Sequence, residues 1–263
     1  MSQTTRHQFC SVERDGPLTI VTLERPEVMN ALHSEADFEL AAVWDAFAAD
    51  DRQVAAIVTG AGERAFCAGN DLKLQAARGS RERPASGFGG LTTRFDLFKP
   101  VIAAVNGVAM GGGFELALSC DIIIAAENAS FALPEPKVGL AALLGGAQFL
   151  PRAIGLPRAM GVLLTGRTVP AAEALQLGIV TALAPQGQAL AHARAWAQQV
   201  LACSPLALQA TKQMARFSAH DEAFVQTVRG ARQLPAVARA RAGADWTEGP
   251  RAFAEKRKPN WSV

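Results

Sequence analysis

Apolar residues fall into short unbroken runs in the first half of the chain and into helical periods in the second. Four of these runs are rich in β-branched residues or alanine and are bounded by turn or polar residues. They predict buried strands at Leu18–Leu23, 54–59, Val101–Val105 and Ile122–Ala126. A short helix is predicted at 114–119, between the last two strands. The repeated order of strand, helix and strand predicts an α/β protein with a parallel sheet and right-handed crossovers.

A serine marks the start of the first predicted helix. Ser34 is followed three residues later by Asp37, which is a variant of the capping box. We therefore expect Ser34 to open this helix and Asp50 and Asp51 to end it.

The segment 71–99 has neither a strand period nor a helix period. It is broken by five turn-forming residues, Gly79, Pro84, Gly87, Gly89 and Gly90. Such a composition is typical of a surface loop, so we expect a mobile, polar lid here.

After Pro151 the pattern becomes helical. It predicts one helix at Ala171–Leu177, stopped by Gly178, and a second at 188–203. A third is expected at 206–217, with Ser204 and Pro205 in the N-cap and first helical positions.

Composition narrows the class of protein. The 263 residues are 49% hydrophobic and carry 26 basic and 24 acidic side chains, so disorder is excluded and no nucleic-acid footprint is present. No run of about 20 apolar residues exists for a membrane helix. The four cysteines lie far apart, which favours reduced packing residues and a cytoplasmic protein: Cys10, Cys67, Cys120 and Cys203.

Two glutamates in a charge-poor stretch are candidates for acid/base chemistry. Glu115 follows three glycines at a predicted helix start, where free backbone N–H groups could also bind an oxyanion. Glu135 lies between two prolines in a rigid turn, where apolar neighbours would raise its pKa. The alternative remains that each glutamate is an ordinary one, since the first turn of a helix favours acidic residues and turns are usually solvated.

Other catalytic motifs do not fit. Residues 60–65 match the loose GxGxxA form of a dinucleotide-binding turn, but no second strand with a terminal acidic residue follows. The chain has no GxxxxGK[ST], GxSxG or HExxH motif, and it has no tyrosine to act as a phenolic acid.

Three stretches resemble the crotonase, or enoyl-CoA hydratase/isomerase, superfamily: VAAIVTGAGERAFCAGNDLK, KPVIAAVNGVAMGGGFELALSCDIIIAAENASFALPEPKVG and EGPRAFAEKRKPNW. The resemblance implies a core of spiralling ββα units over 1–200 and a helical oligomerisation region over 201–263. It also implies a homotrimer or a dimer of trimers that acts on an acyl-CoA thioester. GFGGLTTRFDLFKP, GGFELAL and NASFALPEPKVG look closest to carnitinyl-CoA dehydratase-like members.

The resemblance also implies roles for particular residues. The backbone N–H groups of Asn70 and Gly112 would form the oxyanion hole, and Glu115 and Glu135 match the two hydratase glutamates. The positions that match CoA contacts are Lys73, Phe253 and Lys256, the last two supplied by this chain or by a neighbouring subunit. The implied reaction needs no metal or redox cofactor, and coenzyme A enters as part of the substrate.

One departure from the family pattern leaves alternatives open. Where the family often has Pro-Gly or Pro-Asp after Gly139, this chain has Ala142 and Leu143, beside the expected position of the catalytic water. The leading hypothesis is an enoyl-CoA hydratase or a hydroxyacyl-CoA dehydratase such as carnitinyl-CoA dehydratase. The alternatives are an isomerase or acyl-CoA hydrolase whose site Leu143 has dried, and a non-catalytic acyl-CoA binder. Two retained glutamates argue against the binder, and isomerases commonly keep only a counterpart of Glu135.

Overall fold

The computed structural model describes residues 3–79, 82–219 and 222–261 of the chain. Within these residues there are eleven strands, in chain order β1 (Gln3–Arg6), β2 (Cys10–Asp15), β3 (Leu18–Leu23), β4 (Ala55–Gly60), β5 (Ala65–Cys67), β6 (Val101–Val105), β7 (Val108–Met110), β8 (Ile122–Ala126), β9 (Ser130–Ala132), β10 (Val169–Pro170) and β11 (Ala182–Ala184). They form two sheets, which supports the predicted α/β class.

The larger sheet has the spatial order β1-β2-β3-β4-β6-β8-β11. Its first three strands are antiparallel, and every pairing from β3 to β11 is parallel. All four predicted strands lie side by side in this parallel part. Three have the predicted bounds, and the fourth is shifted by one residue to Ala55–Gly60. The sequence predicted these strands because side chains that pack on both faces of a sheet form unbroken apolar runs.

The smaller sheet has the order β10-β9-β7-β5, and its strands are two or three residues long. Strands β5, β7 and β9 are parallel to one another. The sequence pattern did not predict them, because a three-residue strand is too short to establish a period of two. This sheet adjoins the candidate site, since β7 leads into the glycine triplet and β9 leads into the turn that contains Glu135.

Eleven helices are described: α1 (Ser34–Ala49), α2 (Leu72–Arg78), α3 (Gly112–Ser119), α4 (Gly146–Ile154), α5 (Leu156–Leu163), α6 (Ala171–Leu177), α7 (Ala189–Leu201), α8 (Pro205–Ala219), α9 (Glu222–Arg229), α10 (Pro235–Ala242) and α11 (Asp245–Ala254). The helical second half is therefore confirmed. Helix α6 has the predicted bounds and ends at Gly178, whose φ of 83° suits glycine. Helix α7 packs its buried alanines against one face of the larger sheet.

The start of α1 differs from the prediction. His33 is the N-cap, and its Nδ1 accepts a hydrogen bond of 3.3 Å from the backbone N–H of Ala36. Ser34 is already helical, so the expected capping box is wrong. Asp37 has a different role, because its side chain is fully buried and is paired with Arg83.

The prediction of a mobile, polar lid over 71–99 is also wrong for much of that segment. It begins with helix α2 and later contains a short 3-10 turn at Phe88–Gly90 whose three residues are buried. The indole N–H of Trp44 donates a hydrogen bond of 2.9 Å to the carbonyl of Gly89. Phe88 lies in the main hydrophobic core, so this part of the segment is packed structure and not a mobile lid.

Candidate active site

Asn70 and Gly112, the two residues implied for the oxyanion hole, both line one cavity of about 140 Å³. Asn70 forms an isolated parallel bridge with Leu32. In this bridge the N–H of Leu32 donates to the carbonyl of Gly69, and the N–H of Asp71 donates to the carbonyl of Leu32. The bridge leaves the N–H of Asn70 on its opposite side, without an acceptor among the described residues. Gly112 is the first residue of α3, so its N–H has no intrahelical acceptor.

The three glycines before Glu115 each have a steric reason. Gly111 has a φ of 53°, which favours glycine. A Cβ atom at Gly112 would lie 2.9 Å from the ring of Phe88, and one at Gly113 would lie 2.0 Å from the carbonyl oxygen of Cys67. Close packing therefore accounts for the triplet, and the same packing holds the start of α3 against the cavity.

Glu115 projects from the first turn of α3 into the cavity and is 1% exposed. Its Oε1 accepts hydrogen bonds of 2.9 Å from the backbone N–H groups of Leu144 and Gly146. Burial raises the pKa of this carboxyl above its ordinary value, although the two N–H donors act in the opposite direction. The carboxyl is thus both oriented and shielded from water.

Glu135 begins a short 3-10 turn, Glu135–Val138, directly after Pro134. Its Oε2 is buried and has no hydrogen-bond partner in the part of the chain that the structure describes. Burial, and then the nearby charge of Glu115, raise the pKa of this carboxyl well above its ordinary value of 4.5. The turn that the sequence predicted for Glu135 is present, and burial acts on the pKa of its carboxyl in the predicted direction.

A partly buried ion pair that the sequence did not reveal supports the wall of the cavity. Arg83 pairs with Asp37, and its guanidinium also donates a hydrogen bond of 2.7 Å to the side-chain Oδ1 of Asn70. Asp37 accepts a second hydrogen bond, of 2.8 Å, from the N–H of Gly89. Burial raises the pKa of Asp37 to about 6, against the opposing effects of Arg83 and the Gly89 N–H. No spacing could reveal this pair, because its members are 46 residues apart.

Leu143 is half-buried and lines the same cavity. It directly precedes Leu144, one of the two residues whose N–H groups hold Glu115. The unusual residue therefore lies in the loop that orients a candidate acid/base group.

The three predicted CoA contacts do not share one cavity, unlike the four predicted catalytic and oxyanion-hole residues. Lys73 lies on α2 and lines a second cavity of about 560 Å³ between α2 and α11. This cavity shares Gln75 and Trp246 with the first one. Phe253 is 52% exposed and Lys256 follows the end of α11, and neither lines either cavity. Helix α11 of this same chain packs beside α2.

The fold and the site together define a class of enzyme. Two buried carboxyl groups with raised pKa values share a small cavity with two free backbone N–H groups, an arrangement suited to proton transfer beside a developing oxyanion.

No helix in the described ranges is long and apolar enough to cross a membrane.

Comparisons with known proteins agree with this class. The sequence model of the enoyl-CoA hydratase/isomerase family matches residues 13–263. A carnitinyl-CoA dehydratase of Citrobacter koseri is 44% identical over 257 residues, covering 94% of this chain and 96% of the relative. The chain belongs to the enoyl-CoA hydratase/isomerase family and is an enzyme of the hydratase type, so the resemblance seen in the sequence is confirmed.

Solved structures agree as well. The crystal structure of a carnitinyl-CoA hydratase from Mycobacterium avium superposes with a TM-score of 0.89 at 36% identity, covering 98% of this chain and 99% of that one. An enoyl-CoA hydratase from Mycobacterium tuberculosis H37Rv gives a TM-score of 0.76 at 37% identity, covering 97% and 99%. The crotonase fold of these neighbours confirms the predicted fold class.

Proposed function

We propose that the protein adds water across the Cα–Cβ bond of an enoyl-CoA thioester, or removes it in the reverse direction. The observation that carries this proposal is the placement of Glu115 and Glu135 on the same cavity as the free N–H groups of Asn70 and Gly112. A protein that only bound acyl-CoA would gain nothing from two buried carboxyl groups beside an electron-rich thioester.

The two N–H groups stabilise the negative charge that hydration builds on the thioester oxygen. One preorganised donor of this kind typically contributes about 2.7–4 kcal/mol to transition-state stability. The donor at Gly112 also benefits from the positive end of the α3 dipole.

The two glutamates divide the proton transfers. Glu115 is held by two N–H donors, which favour its ionised form, so it takes the proton of the attacking water as the oxygen bonds to Cβ. Glu135 has the unpartnered Oε2 and a pKa raised further by Glu115, so it holds the proton that passes to Cα. Each transfer contributes about 10²- to 10⁴-fold to the rate.

The coenzyme A portion would lie along α2 and α11. Lys73 lines the cavity between these helices, and its ammonium group suits a phosphate. Phe253 and Lys256 lie at the outer end of α11, where they would contact the same molecule or that of a neighbouring subunit. The reaction as proposed requires no metal or redox cofactor.

We also propose that the chain assembles as a homotrimer or a dimer of trimers through its C-terminal helices, residues 201–263, and works in the cytoplasm. Several large apolar side chains in the helical half are exposed in a single chain, and contact with other copies would bury them. Within 201–263 they are Leu206, Met214 and Leu234, and Leu156, Met160 and Leu164 lie at and just after α5.

A kinetic comparison tests the proposed function. With a panel of enoyl-CoA thioesters, loss of enoyl absorbance should be rapid for the wild type. Glu115→Gln and Glu135→Gln should each lower kcat by about 10²-fold or more, with a smaller change in KM. Glu127→Gln is the matched control, because Glu127 is exposed and does not line the cavity. Losses below tenfold in both site variants would remove the glutamates from the mechanism.

The position of Leu143 supports one alternative, a double-bond isomerase, because isomerisation consumes no water. An acyl-CoA hydrolase would still need water, at the thioester carbonyl instead of at Cβ. The side chain of Leu143 lines the cavity beside the residues that orient Glu115 and would exclude water from that side. The same panel separates the candidates, because isomerisation yields no 3-hydroxyacyl product and hydrolysis releases a free thiol.

A further inference from the structure

The cavity that holds the two glutamates is also lined by two arginines, Arg83 and Arg232. Beyond these four side chains, its described lining residues are uncharged. The electrostatic character of the cavity away from Glu115 and Glu135 is therefore set by guanidinium groups.

Arg83 is a fixed cation. Its guanidinium is held by Asp37 and by the Oδ1 of Asn70, and it lies 5.0 Å from the centre of the Phe88 ring. Asp37 is buried behind it and compensates its charge. Arg83 cannot leave the wall without breaking these contacts.

Arg232 is different, because no residue that the structure describes compensates its charge. It lies in a short 3-10 turn, Ala231–Gln233, after α9. No carboxylate or carbonyl among the described residues accepts a hydrogen bond from its guanidinium. Partial burial, and then the like charges of Arg241 and Arg83, lower its pKa. Arg232 therefore lines the cavity as a cation without a counter-charge, and a bound anion would supply one.

The same wall is a poor receptor for a cation. Quaternary ammonium groups are recognised by several aromatic faces or by carboxylates. Of the residues that line this cavity, Trp246 is the one with an aromatic ring, and the guanidinium of Arg241 already lies 5.8 Å from its centre.

We propose that this enzyme takes an acyl group that ends in a carboxylate, that is, the mono-CoA thioester of an unsaturated dicarboxylic acid, with Arg232 as the ligand of that carboxylate. Arg83, whose charge Asp37 compensates, forms a fixed part of the same wall. The inference rests on the proposed hydratase function and narrows it. It separates this chain from its relatives named for carnitinyl-CoA, whose acyl group ends in a quaternary ammonium.

Three substrates that differ in one group test the charge preference. They are crotonyl-CoA and its derivatives that carry a carboxylate (glutaconyl-CoA) or a trimethylammonium (crotonobetainyl-CoA) on C4. We expect kcat/KM to be highest for the carboxylate, lower for the neutral substrate and lowest for the cation. Because hydrogen bonds between charged groups are stronger than neutral ones, the carboxylate substrate should exceed the neutral one by about tenfold or more.

A variant at Arg232 tests the assignment. Arg232→Gln should lower kcat/KM for glutaconyl-CoA by about 10- to 100-fold and change that for crotonyl-CoA by less than about threefold. Arg239→Gln is the matched control, since Arg239 lies on α10, is exposed and does not line the cavity. All three substrates share coenzyme A, so an equal loss on each would mean that Arg232 binds a phosphate of the coenzyme, and the proposal would be wrong.

The outcomes also separate this inference from the proposed function. Faster hydration of the trimethylammonium substrate would overturn the inference and leave the hydratase assignment standing. If no substrate is hydrated, the hydratase assignment fails. The charge preference is then decided by the affinities of the saturated analogues glutaryl-CoA, butyryl-CoA and γ-butyrobetainyl-CoA, measured by calorimetry. Tightest binding of glutaryl-CoA, weakened by Arg232→Gln, supports the carboxylate site, and any other order refutes it.

Discussion

Replacing Glu135 with glutamine should inactivate the enzyme and stabilise its fold, and the gain should grow with pH. The Oε2 of Glu135 is buried without a partner, and burial and the charge of Glu115 raise its pKa well above 4.5. The folded state therefore holds this proton more tightly than the unfolded chain does. As pH rises above 4.5, the unfolded chain ionises first, so the wild type loses stability until the pH passes the raised pKa.

The magnitude follows from proton linkage. One proton held by the folded state and lost by the unfolded state changes the free energy of unfolding by about 1.4 kcal/mol per pH unit. Glutamine at position 135 does not titrate, so the advantage of Glu135→Gln over the wild type should increase by about 1.2 kcal/mol between pH 5 and pH 6, a little less than the full slope because the unfolded carboxyl is still partly protonated at pH 5. For a chain of this size that corresponds to about 3–5 °C in Tm.

Scanning calorimetry of both proteins at equal concentration, at pH 5 and pH 6, measures the effect. Glu127→Gln is the control for the loss of one carboxyl group, because Glu127 is exposed. A difference in Tm between Glu135→Gln and the wild type that is constant or shrinks with pH would refute the reasoning. It would mean that Glu135 is solvated or has a partner in the folded protein.

Three further predictions concern the cavity and the assembly. Gly112→Pro should abolish turnover while acyl-CoA binding weakens less, because proline lacks the backbone N–H. Gly112→Ala is its control: the added Cβ makes a similar contact with Phe88 but the N–H is kept, so this variant should retain more turnover. If Leu143 crowds the catalytic water, Leu143→Gly should raise the hydration rate on short enoyl-CoAs and lower the free energy of unfolding by about 1 kcal/mol or more. A variant that is folded but slower would show instead that Leu143 shapes the acyl pocket productively. Light scattering should give the mass of three or six chains, and a monomer at micromolar concentration would contradict the proposed assembly.

The parts of the fold that the sequence predicted are those with a strong local signal. Strands β6 and β8 are unbroken apolar runs, because their side chains pack on both faces of the sheet, and their bounds were predicted without error. Helix α6 was equally clear, since Gly178 marks its end. The three-residue strands of the smaller sheet carry no such signal.

The errors came from contacts between residues distant in sequence. Asp37 has the spacing of a capping residue, but its carboxyl is buried against Arg83, and that tertiary contact overrides the local preference. The glycines around Phe88 indicated a loop, whereas their small size lets the backbone enter the core.

The site was predictable in part. Glu115, Glu135, Asn70 and Gly112 were selected from the sequence and the family resemblance, and the structure brings them to one cavity. Arg232 was not selected, because it lies more than a hundred residues from the glycine triplet and belongs to no motif of the chain. Its place in the cavity depends on how the C-terminal helices fold back over the core.

Hydration in heavy-oxygen water tests the central claim most directly. Incubating the wild type with crotonyl-CoA or glutaconyl-CoA should give a 3-hydroxyacyl-CoA that carries one heavy oxygen at Cβ, as read by mass spectrometry. Glu115→Gln and Glu135→Gln should form this product at least about 10²-fold more slowly, and Glu127→Gln at the wild-type rate. A wild type that consumes no enoyl-CoA, or that yields only an unlabelled isomer, would contradict the account.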